Sequence, residues 1–226
     1  MGEAVGQSLP LAIGVALSPV PIIAVVLMLT TPQARANGPA FVLGWLLGLG
    51  VVGGLVLALA GPGAADQGQP AAWVSWLKLL LGLLLLVVAV RQFRGRPHEG
   101  EEAPLPKWMG AIDRFTPPQA LGGGAALAGA NPKNLLLAVG GAAAIAQTGI
   151  AGGQQAIAYA VFAVVGTLGV GTPVGIYFAM GKRSAELLGR LKDWMAHNNA
   201  VIMAVLCLVI GVKLVGDALG GLTAGG

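Results

Sequence analysis

Six long apolar stretches constrain the fold of this 226-residue chain more than any other feature. A helix needs about 20 apolar residues to cross about 30 Å of hydrocarbon. Only 10% of the residues are charged, whereas soluble domains carry about 25%. We therefore predict an all-α polytopic membrane protein with a single transmembrane domain over residues 1–226. The six predicted helices cover about residues 8–30, 39–60, 72–90, 119–147, 154–180 and 199–221.

The distribution of Lys and Arg predicts how these helices are oriented. Ten of the 13 basic residues lie between the helices, all of them in the first, third and fifth separators. Because cytoplasmic loops carry the excess of Lys and Arg, we expect these three loops inside and both termini outside. The first segment lacks a cleavage pattern, so we expect it to be retained as a helix. Topology then explains the net charge of +4, and nucleic-acid binding is not expected.

The two large cytoplasmic loops, residues 91–118 and 181–198, each contain a short amphipathic pattern. Apolar residues recur there at helical spacing, with Trp108 in the first loop and Trp194 in the second. We predict one helix in each loop, lying in the cytoplasmic interface and anchoring the chain there. Docking of a partner protein or of a lipid headgroup is the alternative role.

The first and fourth predicted helices are each interrupted near the middle. The sequence SPVP at residues 18–21 interrupts the first, and NPKN at residues 131–134 interrupts the fourth. A proline lacks a backbone donor and obstructs the carbonyl four residues earlier. The released carbonyls of Val15, Leu17 and Ala128 should then be buried in protein or line a wet cavity.

Each interrupted segment is predicted to form two half-helices. Ser18 and Asn131 are residue types that cap helix N-termini, and the proline after each suits the first helical position. Each new N-terminus would bring about half a positive charge to the bilayer midplane. Lys133 adds a full positive charge, and a charge at this depth is functional by default. Proline kinks that serve packing alone are the alternative.

The two interruptions occupy corresponding positions in the two halves of the chain. Three helices reverse the orientation, so the halves are predicted to form a 3+3 inverted repeat with helices one and four broken. Interrupted segments at matching positions point to the substrate site of a transporter. Two threonines of helix five could also line this cavity, although packing is their more common role. The candidate substrate-binding residues are Ser18, Pro19, Pro21, Asn131, Pro132, Lys133, Asn134, Thr167 and Thr172.

The other polar residues inside the predicted helices give weaker signals. Lys78 is expected to extend its ammonium toward the outer interface. Lys213 and Asp217 lie four residues apart and are expected to form a local ion pair rather than a proton relay. The single cysteine, Cys207, excludes a disulfide or a paired-thiol relay within the chain. No set of intramembrane His, Cys and acidic residues indicates a site for chemistry, so we expect no enzymatic activity, no cofactor and no metal.

These motifs resemble those of a known group of transporters. Six predicted helices, a proline-rich interruption in the first and NPK in the fourth resemble the lysine-exporter (LysE) superfamily. The chain also contains PLAIGVALSPVPIIAVVLML, WMGAIDRFTPPQALGGGAALAGANPKN and VIMAVLCLVIGVKL. These stretches look like the GAP family of that superfamily, the glycolipid- or peptidoglycolipid-addressing proteins. The resemblance covers nearly the whole chain, and it implies export of complex glycolipids toward the surface of a bacterial cell.

The sequence and the resemblance together predict a membrane transporter or flippase component. It would export a lipid with a polar or anionic headgroup, held at the midplane between the broken helices. The alternatives are an exporter of a small solute, such as an amino acid or a cation, and a non-transporting scaffold for a lipid-export complex. Expected partners are membrane lipids, the lipid substrate, larger lipid-export machinery and a second copy of the chain. The expected location is the bacterial cytoplasmic (inner) membrane, with several passes and both termini outside.

Overall fold

The computed structural model describes residues 1–60, 72–95 and 107–223, and these residues form helices without a strand. Two of the helices are short 3-10 helices, at Lys107–Arg114 and Gly181–Arg183. The eight α-helices are α1 (Gly2–Ala16), α2 (Pro19–Leu29), α3 (Ala34–Ala60), α4 (Ala72–Arg94), α5 (Pro117–Gly129), α6 (Pro132–Gln147), α7 (Gly152–Met180) and α8 (Ser184–Thr223).

Four of the described helices are long and apolar enough to cross a membrane: α3, α4, α7 and α8. The pair α1 and α2 adds a fifth candidate span, bent by 51° at the break between the two helices. The predicted all-helical, multi-pass membrane protein is confirmed at this level. With 13 and 16 residues, α5 and α6 are each too short to span a bilayer alone. The six-span inverted repeat and the single transmembrane domain stay predictions.

Both predicted interruptions are present in the structure. α1 ends at Ala16 and α2 begins at Pro19, while α5 ends at Gly129 and α6 begins at Pro132. Each proline occupies the first position of its helix, where its missing N–H has no intrahelical acceptor in any case and its fixed φ is favourable. The positions of both breaks therefore follow from local sequence.

Close backbone packing joins the two halves of the chain. α4 crosses α8 where a Cβ added to Gly82 would lie 2.9 Å from the carbonyl oxygen of Gly211. The reverse also holds, because a Cβ on Gly211 would lie 3.0 Å from the carbonyl oxygen of Gly82. Small residues allow membrane helices this approach. α4 and α8 thus approach each other closely enough for backbone contact.

The first of the two large loops contains a helix of a different type from the one predicted. Lys107–Arg114 forms a 3-10 helix rather than an α-helix, and its Met109 and Ile112 are buried. It packs against α2. Residues 96–106 and the Trp108 side chain lie outside the described residues.

The second loop also differs, because it contains no separate helix. Residues 184–198 are the beginning of α8, which continues without a break to Thr223. Neither proline nor glycine occurs between positions 190 and 210 to end the helix. Asn198 stays helical as well, and its side chain donates to the carbonyl oxygen of Trp194 at 2.9 Å.

Candidate functional site

A chain of hydrogen bonds joins the two breaks. Lys133 Nζ donates to the carbonyl oxygen of Gly14 and to Ser18 Oγ, both at 2.7 Å. The Ser18 hydroxyl in turn donates to Asn134 Oδ1 at 2.7 Å. Asn134 Nδ2 then donates to the carbonyl oxygen of Leu127 at 2.9 Å. The second break therefore supplies the side chains that satisfy polar groups of both.

At each break, one of the carbonyls that a continuous helix would have satisfied accepts a side-chain donor instead. Ser18 and Asn131 adopt extended conformations, with ψ of 106° and 121°. The helical hydrogen bonds end before these residues. Leu17, with ψ of 40°, turns the Ser18 N–H away from Gly14. The Asn131 N–H donates to the carbonyl oxygen of Ala126, at 3.2 Å, instead of that of Leu127. The carbonyls of Gly14 and Leu127 are the ones that receive Lys133 and Asn134.

The prolines predict that three further carbonyls are released, those of Val15, Leu17 and Ala128. None of the three accepts a side-chain hydrogen bond within the described parts of the chain. The polar side chains instead go to the carbonyls freed by the residue before each proline. Val15 and Ala128 are buried, as expected for carbonyls released inside a membrane protein, while the extended N-cap residues free Gly14 and Leu127 in addition.

The two N-cap residues have different roles. Asn131 caps α6, since its Oδ1 accepts a hydrogen bond from the backbone N–H of Lys133 at 3.1 Å. Ser18 occupies the N-cap position of α2, but its side chain makes no capping bond. Its hydroxyl lies between Lys133 and Asn134, accepting from one and donating to the other. The predicted cap is thus confirmed for Asn131, whereas Ser18 holds the position without its side-chain bond.

Lys133 is a buried cation without a carboxylate partner. Its side chain is only 3% exposed, and it bonds a carbonyl and a hydroxyl, both uncharged. Within the described residues, the ion pairs involve other lysines and arginines. An ammonium has three donors, so one N–H has no acceptor in this part of the chain. A buried charge without a counter-charge is costly, and such a site favours the approach of an anion.

A cavity of about 390 Å³ reaches the site. Its lining includes Asn131, Pro132 and Lys133 from the second break and Val20 from the first. Asn199 of α8 also lines it, and the buried Oδ1 of this residue has no hydrogen-bond partner. The two breaks thus share one space, and that space offers unused hydrogen-bonding capacity.

The remaining predicted site residues lie outside this cavity. Pro19 and Pro21 are buried in α2 and are not part of its lining. Thr167 is buried too, but its hydroxyl donates to the carbonyl oxygen of Ala163 within α7, at 2.6 Å. Thr172 is exposed. Neither threonine joins the hydrogen-bond chain or lines the cavity.

The burial of a second lysine was not predicted. Lys78 is 3% exposed and donates to Oε1 of Gln147 at the end of α6, so its predicted extension to the interface is wrong. The predicted pair of Lys213 and Asp217 is confirmed, with a distance of 2.5 Å between Nζ and Oδ2. The charge of Asp217 favours the ammonium of Lys78, and the charge of Lys213 opposes it. The polar Gln147 at the end of an apolar run was the available signal.

Together these features define a class: an all-helical, multi-pass membrane protein with a buried cation at the junction of two interrupted segments. A family model described as Sap, sulfolipid-1-addressing protein, matches residues 9–220. The chain belongs to this sulfolipid-1-addressing protein family. No curated protein and no solved structure matches it. The family agrees with the resemblance to glycolipid-addressing proteins, while membership of the LysE superfamily stays a prediction.

Proposed function

We propose that this protein is an exporter or flippase component for a glycolipid with an anionic headgroup, such as a sulfated one. The family description connects the chain with sulfolipid addressing. The observation that carries the proposal is Lys133, a buried ammonium without a carboxylate partner on the wall of a cavity between two breaks. A sulfate group would supply both the missing negative charge and an acceptor for the remaining N–H.

Several groups around Lys133 favour an anion in this cavity. The N-terminus of α6 begins at Pro132, so its positive dipole end lies beside the ammonium. Gly14 and Ser18 hold Nζ in place and leave one donor free. In a site of low dielectric constant, this preorganised cation attracts an anion far more strongly than it would in water. Sugar hydroxyls could bond the amides of Asn131 and Asn199.

We also infer an inverted repeat of six spans, in which α5 and α6 form one interrupted span. The residue two positions before each N-cap packs against a glycine of a long helix. In the first half, a Cβ added to Gly169 would overlap the carbonyl oxygen of Ala16. In the second, a Cβ on Gly129 would lie 3.4 Å from the carbonyl oxygen of Gly48. Such matched packing supports two related halves that rock about a shared midplane site.

In this proposal the protein acts as a carrier rather than an enzyme and uses no cofactor or metal. Its proposed location is the bacterial cytoplasmic membrane, with both termini outside. Its partners would be membrane lipids and larger lipid-export machinery, with a homodimer as a further possibility. Nucleic acid has no part in it.

A scaffold for a lipid-export complex is the second candidate, and α8 favours it. This helix has 40 residues, so it is about 60 Å long, roughly twice the hydrocarbon thickness. Its first part carries the exposed Trp194. A segment that extends beyond the bilayer could bind a cytoplasmic partner.

The full chain in lipid vesicles tests the proposed function. We expect it to move a fluorescent sulfated galactosylceramide between leaflets and to move the unsulfated lipid much more slowly. Vesicles without protein and an amino-acid efflux assay serve as controls. Trp194→Ala should leave this movement unchanged. Movement of neither lipid, together with loss of surface glycolipid in cells that express Trp194→Ala, would favour the scaffold instead.

A further inference from the structure

We propose that the lipid enters sideways from the predicted cytoplasmic half of the membrane, along α4. Arg91 would capture its anionic headgroup at the mouth of the polar cavity, and two apolar grooves on α4 would hold its acyl chains. This inference rests on the proposed function and adds the entry route and the residues that form it.

The polar cavity extends from Lys133 to the end of α4. Arg91 and Gln92, in the last turn of that helix, line the same cavity as Lys133, Asn131 and Asn199. Arg91 is exposed, whereas Lys133 is buried. One cation therefore lies at the accessible end of the cavity and the other lies deep within it. A guanidinium binds sulfate, phosphate or carboxylate through two parallel hydrogen bonds.

Two connected apolar grooves lie along α4, and one of them meets the cavity. A groove of about 370 Å³ lies between α4 and α8 and is lined by Val90, Val205 and Leu208 among others. A second groove, of about 460 Å³, runs along α4 and shares Val90 and Arg94 with the first. This second groove also includes Arg91, so it meets the polar cavity at that residue.

The combination matches an amphiphile better than a free anion. A small anion would occupy only the polar cavity and would have no use for the grooves. Val90, Val205 and Leu208 are exposed on helices that are long and apolar enough to span a membrane, where acyl chains would surround them. Arg91 lies at the boundary between apolar and polar lining, which is where the headgroup of a lipid would lie.

Arg91 also differs from basic residues that only anchor a span. Arg94, in the same helical turn, lines the grooves but not the polar cavity. Arg35 lies at the beginning of α3, on the same predicted side of the membrane, and lines none of these three spaces. Arg35 therefore provides the matched control, since both arginines satisfy the positive-inside rule.

Photolabelling of the full chain in vesicles tests this route. The probes are a sulfated galactosylceramide with a photoreactive acyl chain and its unsulfated counterpart, and labelled peptides are mapped by mass spectrometry. We expect preferential labelling of residues 83–94 and 199–208 by the sulfated probe. Arg91→Gln should reduce this labelling about tenfold, as loss of a charge-assisted contact does, without changing labelling by the neutral probe. Arg35→Gln should change neither.

A groove variant tests the acyl-chain part separately. Val90→Trp fills a position shared by both grooves, so it should reduce labelling by the sulfated and the neutral probe alike. Equal labelling of wild type and Arg91→Gln, or labelling spread over other helices, would overturn the inference. If the wild type is labelled as expected but moves no lipid, the entry site stands and the carrier function fails.

Discussion

Lys133 and Lys78 are both buried lysines, each 3% exposed, but their surroundings differ. Lys78 donates to Gln147 and has the carboxylate of Asp217 within electrostatic range. Lys133 has only a carbonyl and a hydroxyl as partners. Asp217 favours the positive charge of Lys78 while its partner Lys213 opposes it, whereas within the described residues no carboxylate lies beside Lys133. The comparison teaches that burial alone does not identify a functional lysine, and that the missing counter-charge is the informative feature.

The largest expected effect separates the two lysines directly. Lys133→Met should slow movement of the sulfated lipid about 100-fold, because removal of one partner of a buried charge pair has an effect of that order. Lys78→Met, the matched control, should slow it by less than about threefold, as its charge faces a carboxylate of the protein itself. Initial rates in vesicles, normalised to protein abundance, measure both. Equal losses in the two variants would remove the distinction.

A second variant places a carboxylate near Lys133, as Asp217 is placed for Lys78. Asn134→Asp places a carboxylate next to Ser18, and therefore near the ammonium that Ser18 bonds. We expect normal protein abundance but at least about tenfold slower lipid movement, because an internal ion pair competes with the substrate. Asn134→Leu, which has a similar shape and loses the hydrogen bond to Leu127 without gaining a charge, is the control. Unimpaired movement with a carboxylate at this position would contradict the role of the uncompensated charge.

A third variant tests the hydrogen-bond chain rather than the charge. Ser18→Ala removes one acceptor and one donor from the buried chain and leaves Asn134 Oδ1 without its partner. The expected loss in free energy of unfolding is about 1–3 kcal/mol, seen as a lower Tm in detergent. Lipid movement should fall less than in Asn134→Asp. Ser18→Thr, which keeps the hydroxyl, should restore most of the Tm.

The smallest effect is expected at the cluster of Lys78, Lys213 and Asp217. Asp217→Asn removes the carboxylate that compensates Lys78 and breaks the partly exposed pair with Lys213. Such a pair contributes about 0–1 kcal/mol, so Tm should change little and lipid movement should stay within about twofold of wild type. A large loss of lipid movement would assign a transport role to this cluster and weaken the contrast between Lys78 and Lys133.

The positions of the two breaks could be predicted because they depend on local rules. A capping residue followed by proline specifies where α2 and α6 begin, whatever surrounds them. The same rule implies that Gly14 and Leu127 lose their partners, since each lies four residues before a cap. Which side chains reach these carbonyls depends on how α1 packs against α6, and no local pattern contains that information.

Lys78 and α8 show where such rules fail for different reasons. The snorkelling rule assumes that a lysine near a helix end finds only lipid and water, but α6 places Gln147 within its reach. The uninterrupted course of α8 was visible in the sequence, because neither Pro nor Gly separates the loop from the span. The separate loop helix was predicted from the charged residues and the amphipathic pattern, without regard to the missing Pro and Gly.

Retention of lipid by the purified protein tests the central claim most directly. Wild type, Lys133→Met and Lys78→Met would be purified from vesicles that contain equal amounts of sulfated and unsulfated galactosylceramide, and bound lipid would be counted by mass spectrometry. The account predicts that wild type and Lys78→Met retain the sulfated lipid preferentially and that Lys133→Met loses this preference. Equal retention of the sulfated lipid by Lys133→Met and wild type would contradict it.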